Sequence, residues 1–346
     1  MKLEDFDYYL PEERIAQCPS PLRDEARMMI VNRKTGDIID DVFLNLPEYF
    51  KKDDVLVIND SKVFPARLIG KKETGGAIEI LLLSKISDDA KDCPIWEVLL
   101  RPAKRVSVGT RLFFDNGSEA VITGHISEKK WLVAFMAQND FNHFLEQYGS
   151  APLPPYIRRR GDNTVRDKDI ERYQTIYAKT PGSIAAPTAG MHFSHHVLTL
   201  LREKGIHIVS VTLHVGYGTF LPIETDQVEN HRMEEEFFEI SKETADVINN
   251  AENVIAVGTT STRVIESAAD EKGKVTPISS HTDLFIYPGC RFKRVNRLLT
   301  NFHLPKSSLM LLVSAFAGND LIREAYRQAI EKKYRFYSYG DCMLIL

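Results

Sequence analysis

The chain has 346 residues, 43% hydrophobic and 27% charged, the mixture of a globular protein rather than a disordered one. At roughly 150 residues per domain this is room for about two domains, each able to bury a core without covalent staples. With 44 Lys and Arg against 48 Asp and Glu the net charge is −4, which excludes indiscriminate coating of nucleic acid but allows local basic patches.

In chain order, Met1 to Leu10 is acidic and has no apolar h-region, so no secretory signal is expected. Pro11 to Gln17 reads as a short helix, with Pro in its first turn and acids where the helix dipole favours them. Asp54 to Ile58 is an apolar, β-branched run that stops at Asn59, Asp60 and Ser61, which predicts a buried strand ending in a functional loop. From Arg67 to Phe141 strand-like runs follow one another: Ala77 to Leu83, Ile95 to Leu100, Arg111 to Phe114, Ala120 to Ile126 and Trp131 to Phe135. Turn signals split them, so residues 67–149 are expected to form a small antiparallel barrel or sandwich inserted into the main domain.

After the stiff connector at Pro152, Pro154 and Pro155 the pattern becomes strand, loop, helix, repeatedly. Ser183 to Ala186 leads into a Pro-Thr-Ala-Gly turn and a helix over Ser194 to Lys204, with Ser194 as N-cap. Ile206 to Leu213 is a strand ending at His214, and Val254 to Val257 a strand ending in Gly258 to Arg263, with a helix from Val264 to Ala269. Leu298 to Thr300 leads into Asn301 to Ser308 and a helical C-terminal region. Residues 1–66 and 150–346 together thus predict an α/β domain with a mixed or parallel sheet and ligands at the carboxyl ends of its strands. The longest apolar run near the C-terminus, Leu309 to Ala317, is far short of the ~20 residues of a membrane span. Cys18, Cys93, Cys290 and Cys342 are too scattered for a CxxC motif or a disulfide framework, so small buried thiols in a reducing cytoplasm are expected.

Chemistry concentrates in the strand-end loops. His214 and His303 each follow an apolar strand, where an imidazole can reach a cleft and move a proton near neutrality; a partly buried His satisfied by backbone is the alternative. His192, His195 and His196 make a weak zinc pattern without HExxH order, so no metal is expected; His192, in the turn, is the better ligand contact. Gly216 and Gly218 allow a backbone to approach a ligand closely. The run Gly258 to Arg263 carries four hydroxyls and a guanidinium where a strand turns into a helix, which suits a carboxylate or phosphate, or is simply a Ser/Thr-rich cap. Basic residues cluster at Arg158, Arg159 and Arg160 after Tyr156, at Arg291, Lys293, Arg294 and Arg297, and at Lys332, Lys333 and Arg335 among aromatics; each is a solvated face or a nucleic-acid contact.

These loops carry a family resemblance. Asp54 to Leu68 (DVLVINDSKVFPARL), Leu153 to Ile157 (LPPYI), Tyr173 to Tyr177 (YQTIY), Ala185 to Phe193 (AAPTAGMHF), Thr212 to Phe220 (TLHVGYGTF), Ala256 to Arg263 (AVGTTSTR), Thr300 to Ser308 (TNFHLPKSS) and Tyr334 to Asp341 (YRFYSYGD) run in the family's order over nearly the whole chain. The sequence resembles the S-adenosylmethionine:tRNA ribosyltransferase-isomerases of queuosine biosynthesis. One departure is Glu234, where the family leads one to expect His.

The resemblance implies a two-domain molecule, α/β plus an inserted barrel. It implies transfer of the ribosyl part of S-adenosylmethionine to a 7-aminomethyl-7-deazaguanine at the tRNA wobble position, giving epoxyqueuosine, adenine and methionine. S-adenosylmethionine is then a substrate and no cofactor is expected. Within that reaction, His214, His303 or Asp60 would take the acidic C5′ proton or protonate adenine. Thr259, Thr260 and Arg263 would hold the methionine carboxylate, and Gly216 and Gly218 would admit the sugar. Pro187, Thr188 and Gly190 would wall the adenine, with His192, Thr219 and Asn301 completing the substrate set. Tyr156, Arg158, Arg159, Arg160, Arg294, Arg297 and Arg335 would meet the tRNA, and the protein is expected to be a monomer. An ordinary methyltransferase is disfavoured because Asn59 to Lys62 replaces its glycine-rich loop, and a non-catalytic tRNA-binding module because polar loops converge from several distant strands.

Overall fold

The computed structural model describes all residues except 90–92, 137–139, 160–165 and 221, and it contains two compact units. The first comprises Met1–Lys62, Pro154–Arg158 and Gln174–Leu346; the second comprises Val63–Leu153 and Arg159–Tyr173.

In chain order the first unit opens with β1 (Arg27–Val31), β2 (Ile38–Val42) and β3 (Val55–Asn59), after which β4 (Ser61–Val63) leads out of it. The second unit holds β5 (Arg67–Lys72), β6 (Ala77–Asp89), β7 (Cys93–Arg101), β8 (Arg111–Phe113), β9 (Glu119–His125), β10 (Lys130–Met136), α1 (Phe141–Tyr148) and α2 (Arg166–Arg172). The chain returns through β11 (Thr180–Ser183), α3 (His195–Glu203), β12 (His207–Leu213), β13 (Glu236–Ile240), α4 (Lys242–Asn250) and β14 (Val254–Val257). It ends with α5 (Gly258–Ala268), β15 (Ile278–Thr282), β16 (Arg297–Asn301), α6 (Ser308–Ala317), α7 (Asn319–Glu331) and β17 (Cys342–Ile345).

Nine strands form one mixed sheet in the order β15-β13-β12-β3-β14-β16-β17-β1-β2. Its centre, β12-β3-β14-β16, is parallel, so these four strands deliver their carboxyl ends to one edge. Burial on both faces explains why the central strands are apolar without alternation. Val55 and Val57 of β3 face one core, with Val264 and Ile265 of α5, Leu311 of α6 and Ile322 of α7. Leu56 and Ile58 face the other, with Val197, Leu198 and Leu201 of α3 and with Cys342 and Leu344 of β17.

The second unit closes β10-β7-β6-β5-β8-β9 into an antiparallel barrel. Inward positions such as Leu68, Ile80, Leu82, Val98, Leu112, Ile122 and Val133 are fully buried. α1 begins at Asp140, whose carboxylate accepts the Asn142 N–H, and Phe144 packs edge-on against Phe114 at 5.1 Å. A mixed-sheet α/β unit with an antiparallel barrel is the architecture the sequence predicts. Among the described residues no helix is long and apolar enough to cross a membrane.

Several elements differ from expectation. The helix expected over Pro11 to Gln17 is a single 3-10 turn, Glu12–Arg14, because Ile15 leaves it to bridge to Phe336. α5 starts at Gly258, six residues before the expected Val264, so the Thr-rich run is the helix's first turns and not a loop. β1, β2, β4, β5, β13, β15 and β17 were not expected: β4 begins in what was read as a loop, β13 opens in an acidic run and β15 (ISSHT) is a polar edge strand without hydrophobic pattern.

Candidate active site

Asn59 joins the ends of β3 and β12. Fully buried, it donates from Nδ2 to the Leu213 carbonyl (3.0 Å), and its Oδ1 accepts the N–H groups of Leu213 (3.0 Å) and Ser61 (3.1 Å). This fixes Asp60, Ser61 and His214 at the carboxyl edge. Asp60 Oδ1 accepts from Thr212 Oγ1 at 2.7 Å, and the Asp60 carbonyl accepts the N–H groups of Lys179 and Thr180, which draws β11 to the same edge.

There the His214 ring lies on Phe237, with centroids 5.4 Å apart and planes at 24°. Its Nδ1 is 2.8 Å from Ser61 Oγ, Ser61 Oγ is 2.6 Å from Ser183 Oγ, and Ser183 Oγ accepts the Val215 N–H at 2.9 Å. Gly182 covers the ring at φ +149°, and a Cβ there would stand 2.6 Å from its Cε1 and Nε2. Burial lowers the His214 pKa from 6.5, opposed by the charges of Asp60 and Glu239, so the imidazole is neutral at neutral pH.

A second group lies in the first turn after Pro187. The Asn301 Nδ2 donates to His192 Nε2 (3.2 Å) and to the Tyr337 carbonyl (3.2 Å), while its Oδ1 accepts from Thr188 Oγ1 (3.2 Å). The His192 ring packs on Phe43, and burial, with the charges of Arg335 and Arg23, takes its pKa down to about 3. The Tyr177 hydroxyl overhangs Gly190, where a Cβ would be 2.0 Å from it; the hydroxyl is buried with no hydrogen-bond partner among the described residues, and burial raises its pKa.

Gly216, Gly218 and Thr219 meet a buried carboxylate. Glu236 Oε1 accepts the Gly216 N–H (2.8 Å) and the Thr219 hydroxyl (3.3 Å), and Oε2 pairs with the Arg263 guanidinium. Arg263, 6% exposed at its side chain, also donates to the carbonyls of Leu284 and Thr282. Its guanidinium is therefore turned to Glu236 and does not join the hydroxyls of Thr259 and Thr260 as an anion clamp. α5 starts with Gly258 at φ +85°, and among the described residues no side chain caps it and the buried Thr260 hydroxyl has no partner. Glu234, the residue out of family pattern, lies against Gly218, whose added Cβ would be 2.9 Å from Glu234 Oε2.

Other expected residues stand elsewhere. His303 is buried, bonded through Nε2 to Thr300 Oγ1 at 2.9 Å, through its N–H to Tyr326 and through its carbonyl to Tyr8; burial takes its pKa to about 3. It belongs to a packed aromatic core, and its bonds do not reach the His214 group. Tyr156 is no open stacking platform: its ring packs on Tyr337, its hydroxyl is 2.7 Å from Ser338 Oγ, and burial raises its pKa to about 12.

The basic clusters separate in the same way. Arg158 is exposed beside Glu12, whereas Arg159 makes a two-pronged pair with Asp169 at 2.7 and 2.8 Å. Arg160 lies outside the described residues. Arg294 is turned inward onto the carbonyls of Ile248 and Ala251, and Arg297 onto Asp54 and the Tyr49 carbonyl. Arg335 bonds Ser20 and Asp341. Among the described residues no three His, Cys, Asp or Glu cluster as metal ligands.

The sequence reading missed Ser183, Glu236, Gly182 and Tyr177. Ser183 ends a strand and Tyr177 closes a quoted motif, which were usable signals; Glu236 was hidden in a charged run.

Comparison with known proteins closes the question of kinship. A family model described as queuosine biosynthesis protein matches residues 3–345. The S-adenosylmethionine:tRNA ribosyltransferase-isomerases of Syntrophus aciditrophicus and Carboxydothermus hydrogenoformans are 58% and 50% identical, each covered end to end, over 100% of this chain. The crystal structure of S-adenosylmethionine tRNA ribosyltransferase from Thermotoga maritima is 34% identical, covers 99% of this chain and 100% of its own, and superposes with a TM-score of 0.54. The chain belongs to the S-adenosylmethionine:tRNA ribosyltransferase-isomerase family.

Proposed function

We propose that this chain transfers and isomerises the ribosyl part of S-adenosylmethionine onto 7-aminomethyl-7-deazaguanine at the wobble position of a tRNA, yielding epoxyqueuosine, adenine and methionine. The observation that carries the reading is convergence at one sheet edge: the family strings ending β3, β12, β14 and β16 lie on neighbouring parallel strands.

The sulfonium of S-adenosylmethionine acidifies the C5′ hydrogens, so the first step needs a proton acceptor and donors, which Asp60 and the neutral His214 supply. The uncapped start of α5, with the N–H groups of Gly258, Thr259 and Thr260 and the partnerless Thr260 hydroxyl, suits the methionine carboxylate. Arg263 acts one step back, holding Glu236 against Gly216 and Thr219 so that this loop presents a fixed backbone to the sugar. Pro187, Thr188, Gly190, His192 and Asn301 form the purine wall, and the buried neutral His192 orients Asn301 rather than moving protons. His303, packed and neutral, keeps the loop after β16 in place.

S-adenosylmethionine is consumed as substrate in this reading, with no resident cofactor or metal. The four cysteines are free thiols, which fits a reducing cytoplasm, and we read the working state as a monomer. Incubation with labelled S-adenosylmethionine and substrate tRNA should release free adenine and methionine. S-adenosylhomocysteine as the product would instead mark a methyltransferase. His214→Ala should cost about 10²- to 10⁴-fold in turnover while S-adenosylmethionine still binds.

A further inference from the structure

We infer that the buried hydroxyls of Ser183 and Ser61 lock His214 in the tautomer that carries its proton on Nε2. His214 then meets the substrate as a hydrogen-bond donor, and the C5′ proton goes to Asp60. This rests on the site reading above and deepens it.

The argument is an accounting of protons along a dry chain. Ser183 and Ser61 are both fully buried, so each hydroxyl must find its partners inside the protein. Ser183 Oγ already accepts the Val215 N–H at 2.9 Å, so its own hydrogen points to Ser61 Oγ, 2.6 Å away. Ser61, having accepted that hydrogen, directs its own along the 2.8 Å contact to His214 Nδ1. Nδ1 is thereby an acceptor, and in a neutral imidazole the one remaining proton sits on Nε2.

Reversing the chain makes Nδ1–H the donor to Ser61 and Ser61 the donor to Ser183. Ser183 Oγ would then accept twice, and its hydrogen would be buried with no acceptor among the described residues, the loss of a whole hydrogen bond. That preference exceeds the small intrinsic difference between imidazole tautomers, so one setting dominates. An imidazole with Nε2–H cannot take a carbon-bound proton at Nε2. The proton acceptor beside His214 that is hydrogen-bonded into the same strand end is the Asp60 carboxylate, held by Thr212. In the step assigned to it, the C5′–H bond breaks, the proton goes to the carboxylate, and the electron pair stays on C5′ beside the positive sulfur. Ser61 and Ser183 are positioning residues, acting through His214.

The test is nitrogen NMR on protein labelled with ¹⁵N-histidine, with the His214 signals assigned by their loss in His214→Gln. The expected wild-type pattern is a protonated Nε2 and an unprotonated Nδ1. A protonated Nδ1 in the folded wild-type protein would overturn the inference, whatever the variants do. Ser61→Ala and Ser183→Ala should each give mixed tautomers. They should lower kcat by at least about tenfold with the KM for S-adenosylmethionine little changed, since a wrong tautomer impairs chemistry more than binding. If the pattern in Ser61→Ala matches wild type, the relay does not set the tautomer and the inference fails. Full turnover by His214→Ala would sink the site reading instead, while the tautomer measurement would stand on its own.

Discussion

His214 stands directly after β12, and its hydrogen-bond partners come from two other strand ends. An imidazole directly after an apolar strand was readable as a candidate. Its hydrogen-bonding partners were not, because Ser61 and Ser183 stand 122 positions apart and only the pairing of strand ends brings them together. The same rule selects His303, which follows a strand in sequence and is packed among Tyr8, Tyr326 and Thr300, the buried alternative for such a position. Burial, which no local pattern reports, decides between the two. It also has a thermodynamic consequence. His192 and His303 are held at about 3 by burial, below the ordinary 6.5. Between those values the unfolded chain binds protons that the folded chain refuses. Stability contributed by the neutral rings is therefore present above about pH 6.5 and is lost as pH falls, by up to about 1.4 kcal/mol per pH unit per histidine. Urea unfolding near pH 7 and near pH 5 should show the decline, and His192→Gln or His303→Gln should each make it shallower. An unchanged slope in both variants would mean that neither ring is buried neutral.

Among the elements, α5 shows how an expected loop becomes a helix. Thr, Ser and Gly discourage helix interiors, so Gly258 to Thr262 read as a loop, but burial of Val264 and Ile265 against the sheet outweighs those small propensities. The early start brings Arg263 under Glu236 of β13. That buried pair fastens α5, β13 and the Gly216–Thr219 loop together, so its removal should be felt in both stability and substrate binding. Arg263→Met leaves a buried carboxylate without its counter-ion and should cost about 3–5 kcal/mol, read as a lowered denaturation midpoint. Glu236→Gln keeps most of the hydrogen bonding and should cost less. Equal stability in Arg263→Met and the wild-type protein would show that the pair carries no structural load. In the barrel, by contrast, β8, β9 and β10 were readable to within a residue, since they alternate between buried and more open positions, whereas β5 was not expected and β6 runs six residues past its expected end.

For the molecule as a whole, the change of texture read at Arg67 lies four residues past Val63, where the second compact unit begins. The charged stretch ending at Arg172 gave no such sign, yet Arg159–Tyr173 belongs with the barrel. A net charge of −4 means that tRNA must be held by a few local cations. Binding should then weaken steeply with salt, as log K against log salt, with a slope that counts those contacts. Arg158→Ala should reduce the slope by about one, while Asp169-bound Arg159 is a poorer phosphate ligand. A filter-binding series across salt concentrations measures both, and an unaltered slope in Arg158→Ala would remove that residue from the interface.

The placing of Cys342 in β17 has a practical consequence. This strand runs between β1 and β16, and burial lifts the thiol's pKa well above 9.0, while Cys18 is exposed. A thiolate, not a thiol, reacts with an alkylating reagent, so Cys342 is silent until the sheet comes apart. A pulse of reagent therefore makes Cys18 an internal control and Cys342 a clock for global unfolding. A substrate analogue that grips the ends of β3, β12 and β14 should slow that clock without touching the control, which gives ligand screening a readout independent of turnover.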